Sequence, residues 1–158
     1  MSKQIIPAKQ NQADKRLKVA AYCRVSTEYE EQKQSLKSQV AYYMQKICDN
    51  PNWDFAGIYA EQESGTRVDN REEVQRLMND CRNGKVDLIL MKSLSCFGCN
   101  TLNVLLMLDE LSNLNVVVYF ETEAIWSNVL VKRCLFEAAQ NLKGNITNKE
   151  INIRGICF

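Results

Sequence analysis

Four short apolar runs alternate with stretches in which apolar residues recur at helical spacing, and this alternation constrains the fold most. The clearest run is Val86-Asp87-Leu88-Ile89-Leu90-Met91. It is almost continuously apolar, as expected of a strand buried on both faces. A second run, Val19 to Cys23, predicts a strand over 18–25. Phe55, Ile58 and Tyr59 belong to another strand ending near Ala60-Glu61, and Val116 to Phe120 to one ending at Glu121-Thr122-Glu123. Between them, Leu36, Val40, Tyr43, Met44 and Ile47 predict a helix over 30–48. Val74, Leu77, Met78 and Cys81 line a second helix. Asp69-Asn70-Arg71-Glu72-Glu73 opens it with a cap candidate, and Asn83-Gly84 closes it. Leu102, Leu105, Leu106, Leu108 and Leu111 mark a third. Val131, Cys134, Leu135, Ala138 and Leu142 allow a fourth over about 127–143. The expected fold is α/β: three layers, with a central, largely parallel sheet and flanking helices.

The domain is expected to span 18–143, behind a basic, disordered arm over 1–17 and ahead of a tail over 144–158 without firm pattern. At 158 residues there is room for one domain with a real core. Net charge is only +1, so the chain lacks the overall basic footprint of many small DNA-binding domains. Histidine is absent, which removes His-based triads and His-ligated metals. Seven cysteines without a secretory signal point to a reducing, cytoplasmic setting. No apolar window reaches membrane-spanning length.

In parallel α/β sheets the functional site lies outside the carboxyl ends of the strands. Here those ends carry Arg24 and Ser26, Glu61 to Thr66, Lys92 to Cys99, and Glu121 with Glu123. Arg24 and Ser26 stand two apart, so extended backbone points both to one side. A hydroxyl and a guanidinium placed so can attack and hold a phosphate. The same pair also fits a surface arginine and a helix-capping serine. Glu121 and Glu123, two apart at a strand end, resemble a carboxylate pair and read more simply as a solvated strand edge.

The assembled pieces resemble the catalytic domain of the serine recombinases, the resolvase, invertase and large-serine-integrase group. They are Tyr22-Cys23-Arg24-Val25-Ser26-Thr27, Gln39, Glu61 to Thr66 with its Ser64-Gly65-Thr66, Arg71, Asp87, and Lys92-Ser93-Leu94-Ser95 running on to Phe97-Gly98 and Asn100-Thr101. The resemblance covers Lys18 to Ile125. It implies a resolvase-like fold and site-specific cleavage and exchange of DNA strands through a 5′-phosphoserine linkage, without metal or other cofactor. Its partners would be DNA and further copies of the chain, as a dimer or tetramer, with no membrane and no small-molecule cofactor. By this resemblance Ser26 is the nucleophile and Arg24 and Arg71 hold the phosphate. Tyr22, Gln39, Lys92 and Ser95 are supporting candidates. The chemistry suits the residue types, because guanidinium groups stay ionised and match phosphate oxygens.

Two departures qualify this expectation. The family pattern places arginines where this chain has Cys96 and Cys99. A thiol is short and a poor donor, so activity is expected to be impaired. The family also continues past Ile125 with a long helix and a DNA-binding domain. Here Trp126 to Leu142 reads as a shortened or divergent helix, and no helix-turn-helix or zinc ribbon follows. Both departures fit an altered, fragmentary or decayed recombinase, or a non-catalytic dimerising or regulatory relative of one. Cys96-Phe97-Gly98-Cys99 also reads as C-x-x-C, a redox pair at a helix start, or as half a zinc site completed by Cys81 or Cys134. A nucleotide-binding reading lacks a glycine-rich phosphate loop.

Overall fold

The computed structural model describes residues 15–26, 30–63, 71–98 and 101–134. In chain order the elements are β1 (Leu17–Ser26), α1 (Glu30–Cys48), β2 (Trp53–Glu63), α2 (Glu72–Arg82), β3 (Leu88–Met91), α3 (Thr101–Asn113), β4 (Val117–Phe120) and β5 (Ile125–Trp126). Residues 127–134 are helical after β5. The tail over 144–158, and the helix expected beyond residue 134, lie outside the described residues, as does most of the expected basic arm. Arg16, at the end of that arm, donates to the Pro51 carbonyl at 2.8 Å and pairs with Asp54 at 2.9 Å.

The sheet order is β2-β1-β3-β4-β5, with β1 at the centre of a parallel set and β5 antiparallel at the edge. Tyr22 stands between Tyr59 and Met91, and Met91 stands beside Phe120. The carboxyl ends of the four parallel strands therefore share one edge. β1 and β2 shift register after Val19, which pairs with Phe55, while Ala20 pairs with Gly57. The extra residue is accommodated because Gly57 takes φ +146°, a value side chains disfavour.

Alternation along the strands builds the layers. Val19, Ala21, Cys23, Leu88 and Leu90 meet Tyr43 and Ile47 of α1 on one face. Ala20, Tyr22, Ile89, Met91, Val118 and Phe120 meet α2 and α3 on the other. All four residues of β3 are buried, which is why its sequence shows no alternation. Val86 is buried too but precedes the strand. The backbone amide of Asp87 donates to the Lys18 carbonyl at 2.7 Å, and its carboxylate accepts the Lys18 amide at 2.9 Å.

The second helix starts at Glu72, inside the expected opening stretch, with both acids in its first turn, Arg71 at the cap position and no side-chain cap bond; residues 69 and 70 lie outside the described residues. One expectation changes. Glu121 and Glu123 are not a solvated edge. Glu121 accepts from the hydroxyls of Tyr43 at 2.9 Å and Tyr42 at 3.4 Å and pairs with Lys46, tying α1 to the end of β4. Glu123 turns the other way, toward Ser93 and Leu94 in the segment after β3. A strand-end acid is left to water only when no donor faces it, and here donors face both.

The core also sets a pH response. Burial pushes the Cys23 and Cys81 thiols up to about 12, and burial then carboxylate neighbours raise Tyr22, Tyr43 and Tyr59 above the ordinary phenol range. Unfolded thiols lose their protons near 9, while the folded ones hold them until about 12. The unfolded chain then binds fewer protons, so stability falls as pH rises through that window. Urea midpoints across it should decline steadily, and less steeply in Cys81→Ala.

Candidate active site

The shared carboxyl edge of β1, β2 and β3 gathers most of the candidate residues. Arg24 is partly buried and sits opposite Glu61 in register. Ser26 is placed through its backbone, as the last residue of β1 and opposite Glu63. The register thus puts the arginine and serine at the edge where β3 also ends.

Arg71 reaches from the start of α2 across to the segment after β3. One terminal nitrogen, Nη2, donates to the Phe97 carbonyl and, at 3.4 Å, to the Cys96 carbonyl. Its Nε is buried and has no hydrogen-bond partner among the described residues. Gly98 permits this approach, because a Cβ there would lie 3.1 Å from Nη1. The Phe97 ring is fully buried and meets the Tyr22 ring edge-on, with centroids 6.4 Å apart. A short 3-10 turn, Leu94–Cys96, presents these carbonyls, with the Ser93 hydroxyl accepting the Ser95 amide at its start.

Tyr22 brings in Glu61, which the sequence placed at this strand end without a partner. The Tyr22 hydroxyl donates to Glu61 Oε2. Burial first, then Glu61, pushes the phenol upward, and Arg71 pulls it back. The other Glu61 oxygen accepts the Glu73 amide at 3.2 Å. A carboxylate from β2 thus satisfies a first-turn amide of α2 that lacks a local cap. Removing it strands a buried hydroxyl and an amide. Glu61→Ala should destabilise the fold by about 1–3 kcal/mol, read as a shift in urea midpoint.

Position 96 lies among charges. The Cys96 thiol is half-buried, and burial raises it. The Ser93 backbone, Lys92 and Arg24 oppose the rise, and Glu123 adds to it. A low-pKa thiol, which the redox reading needs, is not what this environment produces. Cys99, the second position of C-x-x-C, lies outside the described residues. None of the five described cysteines, Cys23, Cys48, Cys81, Cys96 and Cys134, is in a disulfide. Among the described residues no group of His, Cys, Asp or Glu is arranged to hold a metal ion. Lys92 and Ser95 are exposed on the same segment, and the Ser95 and Ser93 hydroxyls lie 3.0 Å apart.

Gln39 stands apart from this group. It lies on α1, with Nε2 donating to Ser35 at 3.4 Å and a buried Oε1 that has no partner among the described residues. Sequence reasoning placed Glu61 and Glu123 at this edge but missed the partners of both. The register of Glu61 with Arg24 is the signal that finds the first, and it appears only once β2 is known to lie beside β1.

With this geometry the comparisons with known proteins are specific. The family model "Resolvase, N terminal domain" matches residues 19–143. A resolvase family site-specific recombinase from Streptococcus pneumoniae is 26% identical, with a TM-score of 0.63 over 82% of this chain and 90% of that one. The N-terminal catalytic domain of TP901-1 integrase is 20% identical, with a TM-score of 0.58 over 80% of this chain and 98% of that one. The C-terminal catalytic domain of ISC1926 TnpA, an IS607-like serine recombinase, is 16% identical, with a TM-score of 0.56 over 80% and 84%. The last two likenesses concern the fold. A comparison with curated protein sequences found no match. The fold and the matched family define a resolvase-type domain. This chain belongs to the resolvase N-terminal domain family.

Proposed function

We propose that this chain is the strand-exchange domain of a site-specific recombinase, with Ser26 as nucleophile and with cleavage crippled by Cys96 and Cys99. The observation that carries the reading is the seat of Arg71. A guanidinium held by two backbone carbonyls lies at the strand edge where Arg24 and Ser26 also end. In the reaction the Ser26 hydroxyl loses its proton and its oxygen bonds to phosphorus. The bond from phosphorus to the 3′ oxygen breaks, and the 3′ oxygen leaves as a hydroxyl after taking up a proton. The ester keeps the bond energy, so the reverse step reseals the strand. Arg24 and Arg71 would meet the charge that builds on the phosphate oxygens.

The partners are DNA and further copies of this chain, as a dimer or tetramer. The named relatives, an integrase and site-specific recombinases, support both. No helix among the described residues is long and apolar enough to cross a membrane, and the free cysteines suit a reducing cytoplasm. Cysteine at both 96 and 99 also supports a second reading, a non-catalytic subunit that assembles with an intact recombinase.

End chemistry tests the first reading. The Cys96→Arg/Cys99→Arg chain, joined to a competent DNA-binding domain, should leave protein-blocked 5′ ends and free 3′ hydroxyls that a polymerase extends. Free 5′ phosphates, or protein on the 3′ ends, would overturn it.

A further inference from the structure

The geometry points to Glu123 as a positioning residue for Arg71, acting through the segment between β3 and α3. Glu123 follows β4, two strands away from β1 in the sheet. Its Oε1 accepts the Ser93 hydroxyl at 2.8 Å, and both carboxylate oxygens lie 3.3 Å from the Leu94 amide. Those two donors open the 3-10 turn. At the far end of the same turn the Cys96 and Phe97 carbonyls hold Arg71. One carboxylate therefore fixes where a three-residue turn begins, and the turn fixes where the guanidinium sits.

The surrounding contacts give the link its direction. Leu94 and Phe97 are fully buried, so the turn has little freedom to shift while its entry is pinned. The backbone after β4 is pinned as well, with the Glu121 and Thr122 amides donating to the Met91 and Lys92 carbonyls at 2.9 and 2.8 Å. Ala124, at φ +49°, closes the bend that carries Glu123. Glu121, two residues away, makes its side-chain bonds to α1 instead. The two acids anchor different neighbours, and only Glu123 reaches the Arg71 seat.

The inference deepens the proposed function and rests, for its catalytic meaning, on Arg71 as a phosphate ligand. The test uses the full chain with labelled arginine. The Arg71 Nε–H signal, assigned by its loss in Arg71→Lys, reports the seat directly, because that nitrogen is buried. Glu123→Ala should speed exchange of this proton with solvent by about tenfold or more, the effect of losing a hydrogen bond to a charged acceptor. Glu123→Gln, which keeps an acceptor oxygen, should restore most of the protection. Glu121→Ala, measured alongside, should lower the unfolding midpoint yet leave the Arg71 signal in place; a merely structural role for Glu123 would make the two alanine variants alike. Ser93→Ala removes only the hydroxyl link and serves as the deciding variant if Glu123→Ala does not fold. Unchanged Arg71 exchange in the folded variants overturns the inference, whatever the activity. Altered exchange with undiminished cleavage in the Cys96→Arg/Cys99→Arg chain would keep the positioning link and remove Arg71 from the phosphate.

Discussion

Cys96→Arg/Cys99→Arg should raise the yield of covalent serine–DNA complex from background to a readily trapped species. Losing one donor to a developing oxyanion costs about 3–4 kcal/mol. On this proposal, two missing guanidinium groups should cost ~5–8 kcal/mol, a slowing on the order of ten-thousandfold or more. The surroundings of position 96 suit the change. Arg24, Lys92 and Glu123 all act on the side chain there, so an arginine would find a carboxylate beside it as well as the two cations. Phosphate, rather than protein, would then have to neutralise the gathered positive charge. The measurement is trapped complex per unit time on a supercoiled substrate, with each chain joined to the same competent DNA-binding domain. Equal trapping by the unaltered chain would show that the cysteines are tolerated.

The second large effect is expected for Arg71→Lys in the arginine-restored chain. The guanidinium's planar fork is anchored by one terminal nitrogen on two carbonyls, Phe97 and Cys96. An ammonium is a single point on a flexible stem and cannot reproduce that planar spread. Cleavage should fall by about a hundredfold to a thousandfold, or about 3–4 kcal/mol of transition-state stabilisation. Binding of the DNA-binding domain to its site should stay constant, since that contact lies elsewhere. A drop of less than about threefold would place Arg71 outside the phosphate's reach.

Much of the architecture was legible because burial on one or two faces leaves a period. The helix expected over 30–48 is α1 at Glu30–Cys48, because Tyr43 and Ile47 must meet the same strip of sheet. The unbroken run at Leu88–Met91 announced a strand covered on both sides. Strand order left no such trace. Nothing local to Glu61 says that β2 lies beside β1, so its hold on Tyr22 and the Glu73 amide stayed invisible. Glu123 was misread for the same reason, since Ser93 and Leu94 come thirty and twenty-nine residues earlier in the chain. The start of α2 at Glu72 falls inside the expected stretch, but the acceptor for its Glu73 amide comes from another strand and leaves no local mark. The proposal of Arg24 and Arg71 as phosphate ligands comes from a family pattern; periodicity alone leaves both as surface arginines.

One measurement bears on the central claim most directly. The arginine-restored chain, joined to a competent DNA-binding domain, is quenched during reaction with a supercoiled substrate, and the DNA-linked peptide is identified by mass spectrometry. The account predicts a nucleotide adduct on the peptide containing Ser26, lost entirely in Ser26→Ala. An adduct on another residue, such as Tyr22 or Ser95, or an adduct that persists in Ser26→Ala, would contradict it.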